Sequence, residues 1–83
     1  MSVIYDPEYQ IFIDCMKDYR MRSNMTQQEL ASVLGCSQSY ISKYEHCQKR
    51  LDIVETRKIC RSLGVALLDL IADYEAQLRK EEL

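Results

Sequence analysis

The segment from Thr26 to Glu45, TQQELASVLGCSQSYISKYE, most narrows what this chain can fold into. Thr26 and Glu29 stand three residues apart, so each side chain can satisfy a free backbone N–H at a helix start. Leu30, Ala31 and Leu34 then recur at helical spacing and give a short helix with one apolar stripe. Gly35 is the residue best able to leave that helix with positive φ, and Ser37 can cap the next one. The connection Gly35-Cys36-Ser37 is too short for the two helices to lie side by side, so they should cross steeply, as in a helix-turn-helix.

The second helix, Gln38 to Glu45, turns Ile41 and Tyr44 inward and leaves Gln38, Ser39, Tyr40, Ser42 and Lys43 outside. A solvated face of this size would ordinarily be built from Glu, Lys and Arg. This one carries an amide, two hydroxyls, a phenol and one cation, groups that can pair with base edges and with phosphates. The plainer alternative is a polar helix that only covers the core.

Thr26-Gln27-Gln28-Glu29-Leu30-Ala31, Leu34-Gly35 and Ser37-Gln38-Ser39-Tyr40-Ile41-Ser42-Lys43-Tyr44-Glu45 together resemble the signature of the Cro/phage-repressor type, or XRE family, of helix-turn-helix DNA-binding domains. Lys49-Arg50-Leu51-Asp52 and Leu63-Gly64-Val65 fit the later part of that pattern, and the resemblance spans about Met16 to Ile71. It implies an all-α fold, a five-helix lambda-repressor-like domain. It also implies an ion pair between Arg20 and Glu45, the glutamate that ends the recognition helix. Where the family usually has a glycine two residues after that glutamate, this chain has Cys47, which would cost on the order of 1 kcal/mol if the left-handed backbone were kept.

Outside this core, Asp6-Pro7-Glu8 is a strong helix start, and Tyr9, Phe12, Ile13, Met16 and Tyr19 continue it to about Arg22. Asp52 and Glu55 form a second capping pair, for a helix whose expected buried stripe is Val54, Ile59, Cys60 and Leu63 and which Gly64 closes. The last helix should run over about 67–80. Its Leu67, Ile71, Tyr74 and Leu78 alternate at four- and three-residue steps, the spacing of a seam against another helix. Leu70 can serve the monomer core, which leaves that seam for a second copy and predicts a two-fold homodimer. The alternative is that the long first helix absorbs the whole stripe.

At 83 residues the chain is long enough for one domain and one core, here read as 1–83 with the helix-turn-helix at 26–45. Its 47% apolar and 29% charged residues exclude a disordered or fibrous class. No apolar run approaches the roughly 18 residues that cross a bilayer, and the N-terminus lacks a basic start followed by an apolar block. A cytoplasmic location is therefore expected.

Cys15, Cys36, Cys47 and Cys60 are 21, 11 and 13 residues apart, with no paired spacing and one histidine, His46. They read as free thiols, Cys15 and Cys60 inside and Cys36 and Cys47 more exposed, and no metal or cofactor is expected. Net charge is −2, yet residues 20–50 hold Arg20, Arg22, Lys43, Lys49 and Arg50 against only Glu29 and Glu45, a local +3. The field at that face governs docking on phosphate, not the total.

The resemblance implies double-stranded DNA as partner, with the two recognition helices of a dimer about 34 Å apart in successive major grooves of a pseudo-palindromic operator. Gln38, Ser39, Tyr40, Ser42 and Lys43 are then the base-contacting candidates. Gln27 falls at the family's phosphate-clamping position, and Lys49 and Arg50 would add phosphate contacts. An enzyme is not expected, because there is no nucleophile with a nearby base and no glycine-rich phosphate loop. The reading is a transcriptional regulator, in the first instance a repressor. Its rival is a protein-interaction module such as an antitoxin, which would be expected to turn an apolar patch outward on the second helix.

Overall fold

The computed structural model describes residues 5–81. It is built from α1 Pro7–Arg22, α2 Gln27–Leu34, α3 Gln38–Glu45, α4 Ile53–Ser62 and α5 Leu67–Glu81, the all-α, five-helix arrangement expected. The capping residues set these boundaries. Asp6 accepts the N–H groups of Glu8 and Tyr9, and both Thr26–Glu29 and Asp52–Glu55 close as reciprocal pairs. Gly35 at φ +73° ends α2 and Gly64 at φ +71° follows α4, each reversing the chain where a β-carbon would be strained.

One core gathers Tyr9, Ile13 and Met16 of α1, Leu30 and Ala31 of α2, Ile41 and Tyr44 of α3, Ile59 and Cys60 of α4, and Leu70 of α5. α1 packs on α3 and α5, and α4 packs on α2 and α5. α1 also fixes the loop that follows α3. The Tyr9 hydroxyl donates to the Lys49 carbonyl at 3.2 Å and accepts the Leu51 N–H at 2.9 Å, satisfying backbone groups that no helix serves. Tyr19 of α1 is hydrogen-bonded to Asp73 of α5.

The structure corrects two sequence expectations about burial. Val54 is 57% exposed, and Thr56 fills the core in its place. Ile59 and Cys60 fix the phase of the stripe, and one turn back from them lies residue 56, not 54. The Thr56 hydroxyl is satisfied on the Asp52 carbonyl at 2.7 Å. Cys47, expected near the surface, is buried at 1% exposure, and its thiol donates to the Gln10 side-chain oxygen at 3.3 Å.

Cys47 nonetheless keeps the left-handed backbone, at φ +57°. Removing its β-carbon would relieve about 1 kcal/mol of strain but vacate a filled core position. Cys47→Gly should therefore change stability by less than about 1 kcal/mol, while the β-branched Cys47→Val should lose about 2 kcal/mol or more. Denaturant midpoints check this; a valine variant as stable as the glycine one would mean that the backbone at 47 is not constrained.

The expected seam on α5 is divided. Tyr74 meets Phe12 of α1 edge-on, with ring centroids 5.9 Å apart, and Leu67 and Leu78 are half-buried. Ile71 stays 40% exposed, with Leu68 at 77% and Ile53 at 61%. Phe12, Leu51, Ile53, Thr56, Leu67, Leu70, Ile71 and Tyr74 line an open apolar groove of about 290 Å³. α1 thus takes part of the stripe and leaves part of it in solvent.

Candidate nucleic-acid interface

The α2–α3 connection places the N-terminus of α2 beside the N-terminus of α3. The Cys36 N–H bonds the Ala31 carbonyl at 3.0 Å, so the chain turns within the last turn of α2, and the Ser37 hydroxyl then accepts the Tyr40 N–H at 3.2 Å to start α3. Ile41 and Tyr44 are fully buried and fix the rotation of α3 about its axis. Gln38, Ser39 and Lys43 consequently stand in solvent, with Ser42 half-buried beside them.

A hydrogen-bonded relay runs from the core to this face. The Arg20 guanidinium clamps Glu45 through Nε on Oε2 at 2.7 Å and Nη2 on Oε1 at 3.0 Å, and Nη1 donates to the Met25 carbonyl at 2.7 Å. Both side chains are nearly excluded from solvent, at 10% and 1% exposure. The Gln27 amide then donates to Glu45 Oε1 at 2.9 Å, and Gln38 donates to Gln27 Oε1 at 2.5 Å.

Chemistry fixes the direction of the relay. A carboxylate only accepts, so Gln27 must turn its NH₂ to Glu45 and its oxygen to Gln38, and Gln38 must answer with an N–H. Gln38 is left with one free N–H and its whole carbonyl oxygen, a donor next to an acceptor. That is the complement of adenine N7 and N6 in the major groove.

Tyr40 is placed differently from its sequence reading as a free outward contact. It is half-buried, its ring meets Tyr44 edge-on at 5.9 Å, and its hydroxyl donates to Glu55 Oε2 at 2.7 Å, turned toward α4. Ser42 is partly engaged as well, since His46 Nδ1 lies 2.7 Å from its carbonyl and 3.3 Å from its hydroxyl. His46 is an exposed helix-end residue.

Lys49 and Arg50 sit in the loop after α3, each against an internal partner. Lys49 Nζ is 3.0 Å from Glu55 Oε2 and 5.4 Å from the centre of the Tyr40 ring. The Arg50 guanidinium lies 4.7 Å over the Tyr9 ring. Glu55 was legible only as a cap. The Asp52 backbone N–H, then the Tyr40 hydroxyl and Lys49, hold its carboxyl down to about 2, so it is ionised at any pH near neutrality.

Burial pushes all four thiols up, away from thiolate reactivity. Among the described residues no group of His, Cys, Asp and Glu side chains could hold a metal ion. Nor is any helix among them long and apolar enough to cross a membrane.

A helix-turn-helix family model matches residues 16–70. Among solved structures the chain is similar to an XRE-family like protein from Pseudomonas syringae pv. tomato str. DC3000, with 37% identity over 86% of this chain and 87% of that one and a TM-score of 0.80. It also shares its fold with the clp gene regulator ClgR from Corynebacterium glutamicum, at 19% identity over 90% of this chain and 80% of that one, TM-score 0.79. A point mutant of the Restriction-Modification Controller Protein C.Esp1396I matches in the same way, at 20% identity over 95% and 98% of the two chains, TM-score 0.82. No curated protein sequence matches the chain.

Proposed function

The chain belongs to the XRE family of helix-turn-helix domains, which bind DNA and regulate transcription, and we propose that it is a repressor that reads a pseudo-palindromic operator as a homodimer. The relay from Arg20 through Glu45 and Gln27 to Gln38 carries this reading, because it holds a donor–acceptor pair rigidly at the exposed N-terminal end of α3. Pre-set polar groups on a packed helix discriminate bases at less entropic cost than mobile ones. Ser39, Ser42 and Lys43 extend the base-reading face, and Tyr40 contributes through the edge of its ring.

Gln27 and Arg50 serve as phosphate contacts, Gln27 with the N-terminus of α2 beside it, while Lys49 stands at the same rim in its pair with Glu55. The dimer seam is Leu67, Ile71, Tyr74 and Leu78 together with the apolar groove that Ile53 and Phe12 extend. The direct effect of such a dimer on its operator is occlusion, hence repression. Against the interaction-module alternative stands the composition of α3: the exposed large apolar residues among those described include Val33, Ile53, Val54, Leu68 and Ile71, and none is on α3.

Gln38→Ala is expected to cost about 1–3 kcal/mol on the preferred duplex and to relax preference at one base position per half-site. Binding titrations on duplexes varied at each position check this. Equal losses on preferred and scrambled DNA would remove Gln38 from the base-reading set.

A further inference from the structure

We propose that Glu55 sets the strength of sequence-blind DNA binding by holding Lys49 in a neutral pair at the rim of α3, which withdraws one cation from the attraction of phosphate. This rests on the DNA-binding reading above. The Glu55 carboxylate is held from several sides: Oε1 accepts the Asp52 N–H at 3.0 Å, and Oε2 accepts both the Tyr40 hydroxyl at 2.7 Å and Lys49 Nζ at 3.0 Å. Tyr40 is in turn packed on the buried Tyr44 ring. The carboxylate is therefore a fixed part of the α3–α4 junction and cannot swing away with Lys49 when a phosphate approaches.

Lys49 must then either leave Glu55 or share it, and a shared pair presents almost no net charge to DNA. The two side chains are 36% and 29% exposed, so their attraction is less screened than that of a fully solvated pair. Arg50 differs, because the neutral Tyr9 ring under its guanidinium leaves the full charge available. Lys43 is exposed and has no ion-pair partner among the described residues. Of the three cations flanking the outer face of α3, one is silenced by an acidic residue that the helix also uses as its cap.

The test uses the full chain as wild type, Glu55→Gln, Lys49→Ala and the double variant, titrated over a salt series with a duplex selected for binding and with a scrambled one. Glutamine keeps the cap, since its carbonyl still accepts the Asp52 N–H. Glu55→Gln should tighten binding to both duplexes alike, roughly eightfold near 0.1 M salt, and steepen the salt dependence by about 0.9, the release expected for one more neutralised phosphate. In the Lys49→Ala background the same change should have little effect. An unchanged salt slope in Glu55→Gln, an equal gain without Lys49, or weaker binding with a lowered unfolding midpoint would each overturn the proposal while leaving DNA binding intact. Failure of the wild type to bind either duplex would remove both.

Discussion

Glu45→Ala should lose about 3–5 kcal/mol of folding stability, the cost of leaving a buried charge without its partner. Arg20 would keep its guanidinium in the core, with Nε and Nη2 facing a void and only the Met25 carbonyl still accepting from Nη1. Domains of this size are stable by only about 5–15 kcal/mol, so the variant should sit close to unfolding at ordinary temperature. Denaturant midpoints measure the loss; a cost under about 1 kcal/mol would mean that the pair is solvated and the relay is not anchored.

Glu45→Gln separates anchoring from polarity. A glutamine with its one oxygen at the Oε1 position can still accept from both Arg20 Nη2 and Gln27, while its NH₂ opposes Arg20 Nε. Gln27 and Gln38 then keep their donor and acceptor directions, and one bond of the Arg20 clamp is lost. The expected result is a lowered denaturant midpoint, with base preference at the position that Gln38 reads unchanged. A changed preference would show that Gln27 had turned its amide over in the variant.

Ile71→Glu should leave the monomer folded, because Ile71 is already 40% exposed, but should prevent two copies from meeting across α5. A dimer engages its second half-site at the high effective concentration that linkage gives, an advantage of 10²–10⁴ in apparent affinity. The operator affinity of Ile71→Glu should fall by about that factor and approach the affinity of a single half-site. Sedimentation alongside the titration completes the test, since a variant that remains dimeric and binds normally would place the interface elsewhere.

The fold was legible because its boundaries are written in local chemistry. Thr26 with Glu29, Asp52 with Glu55, Asp6 before Pro7, and the glycines at 35 and 64 each act within one helical turn, and the helices start and stop where these residues stand. The core stripe of α1 followed from spacing in the same way. What sequence spacing could not resolve depends on contacts far apart in the chain. Tyr40 faces α4 because Glu55 accepts its hydroxyl from fifteen residues away, and Cys47 is buried because α1 passes over it, with Gln10 accepting its thiol from 37 residues back.

The outer face of α3 shows the same division. Its exposed residues Gln38, Ser39 and Lys43 were identifiable as soon as Ile41 and Tyr44 were read as inward. The amide relay behind Gln38 was not, since it joins residues 20, 27, 38 and 45 only after α2 and α3 have crossed. Charge counting likewise credited Lys49 with a full positive charge, although the Glu55 that offsets it lies in the next helix.

Selection of fragments from random duplex DNA by the purified full chain probes sequence reading and assembly together. The recovered fragments should share a pseudo-palindrome whose half-site centres are about 10 base pairs apart, with adenine favoured at the position that Gln38→Ala relaxes. Recovery of unrelated sequences, or retention of no duplex even at low ionic strength, would contradict the assignment of α3 as a base-reading helix.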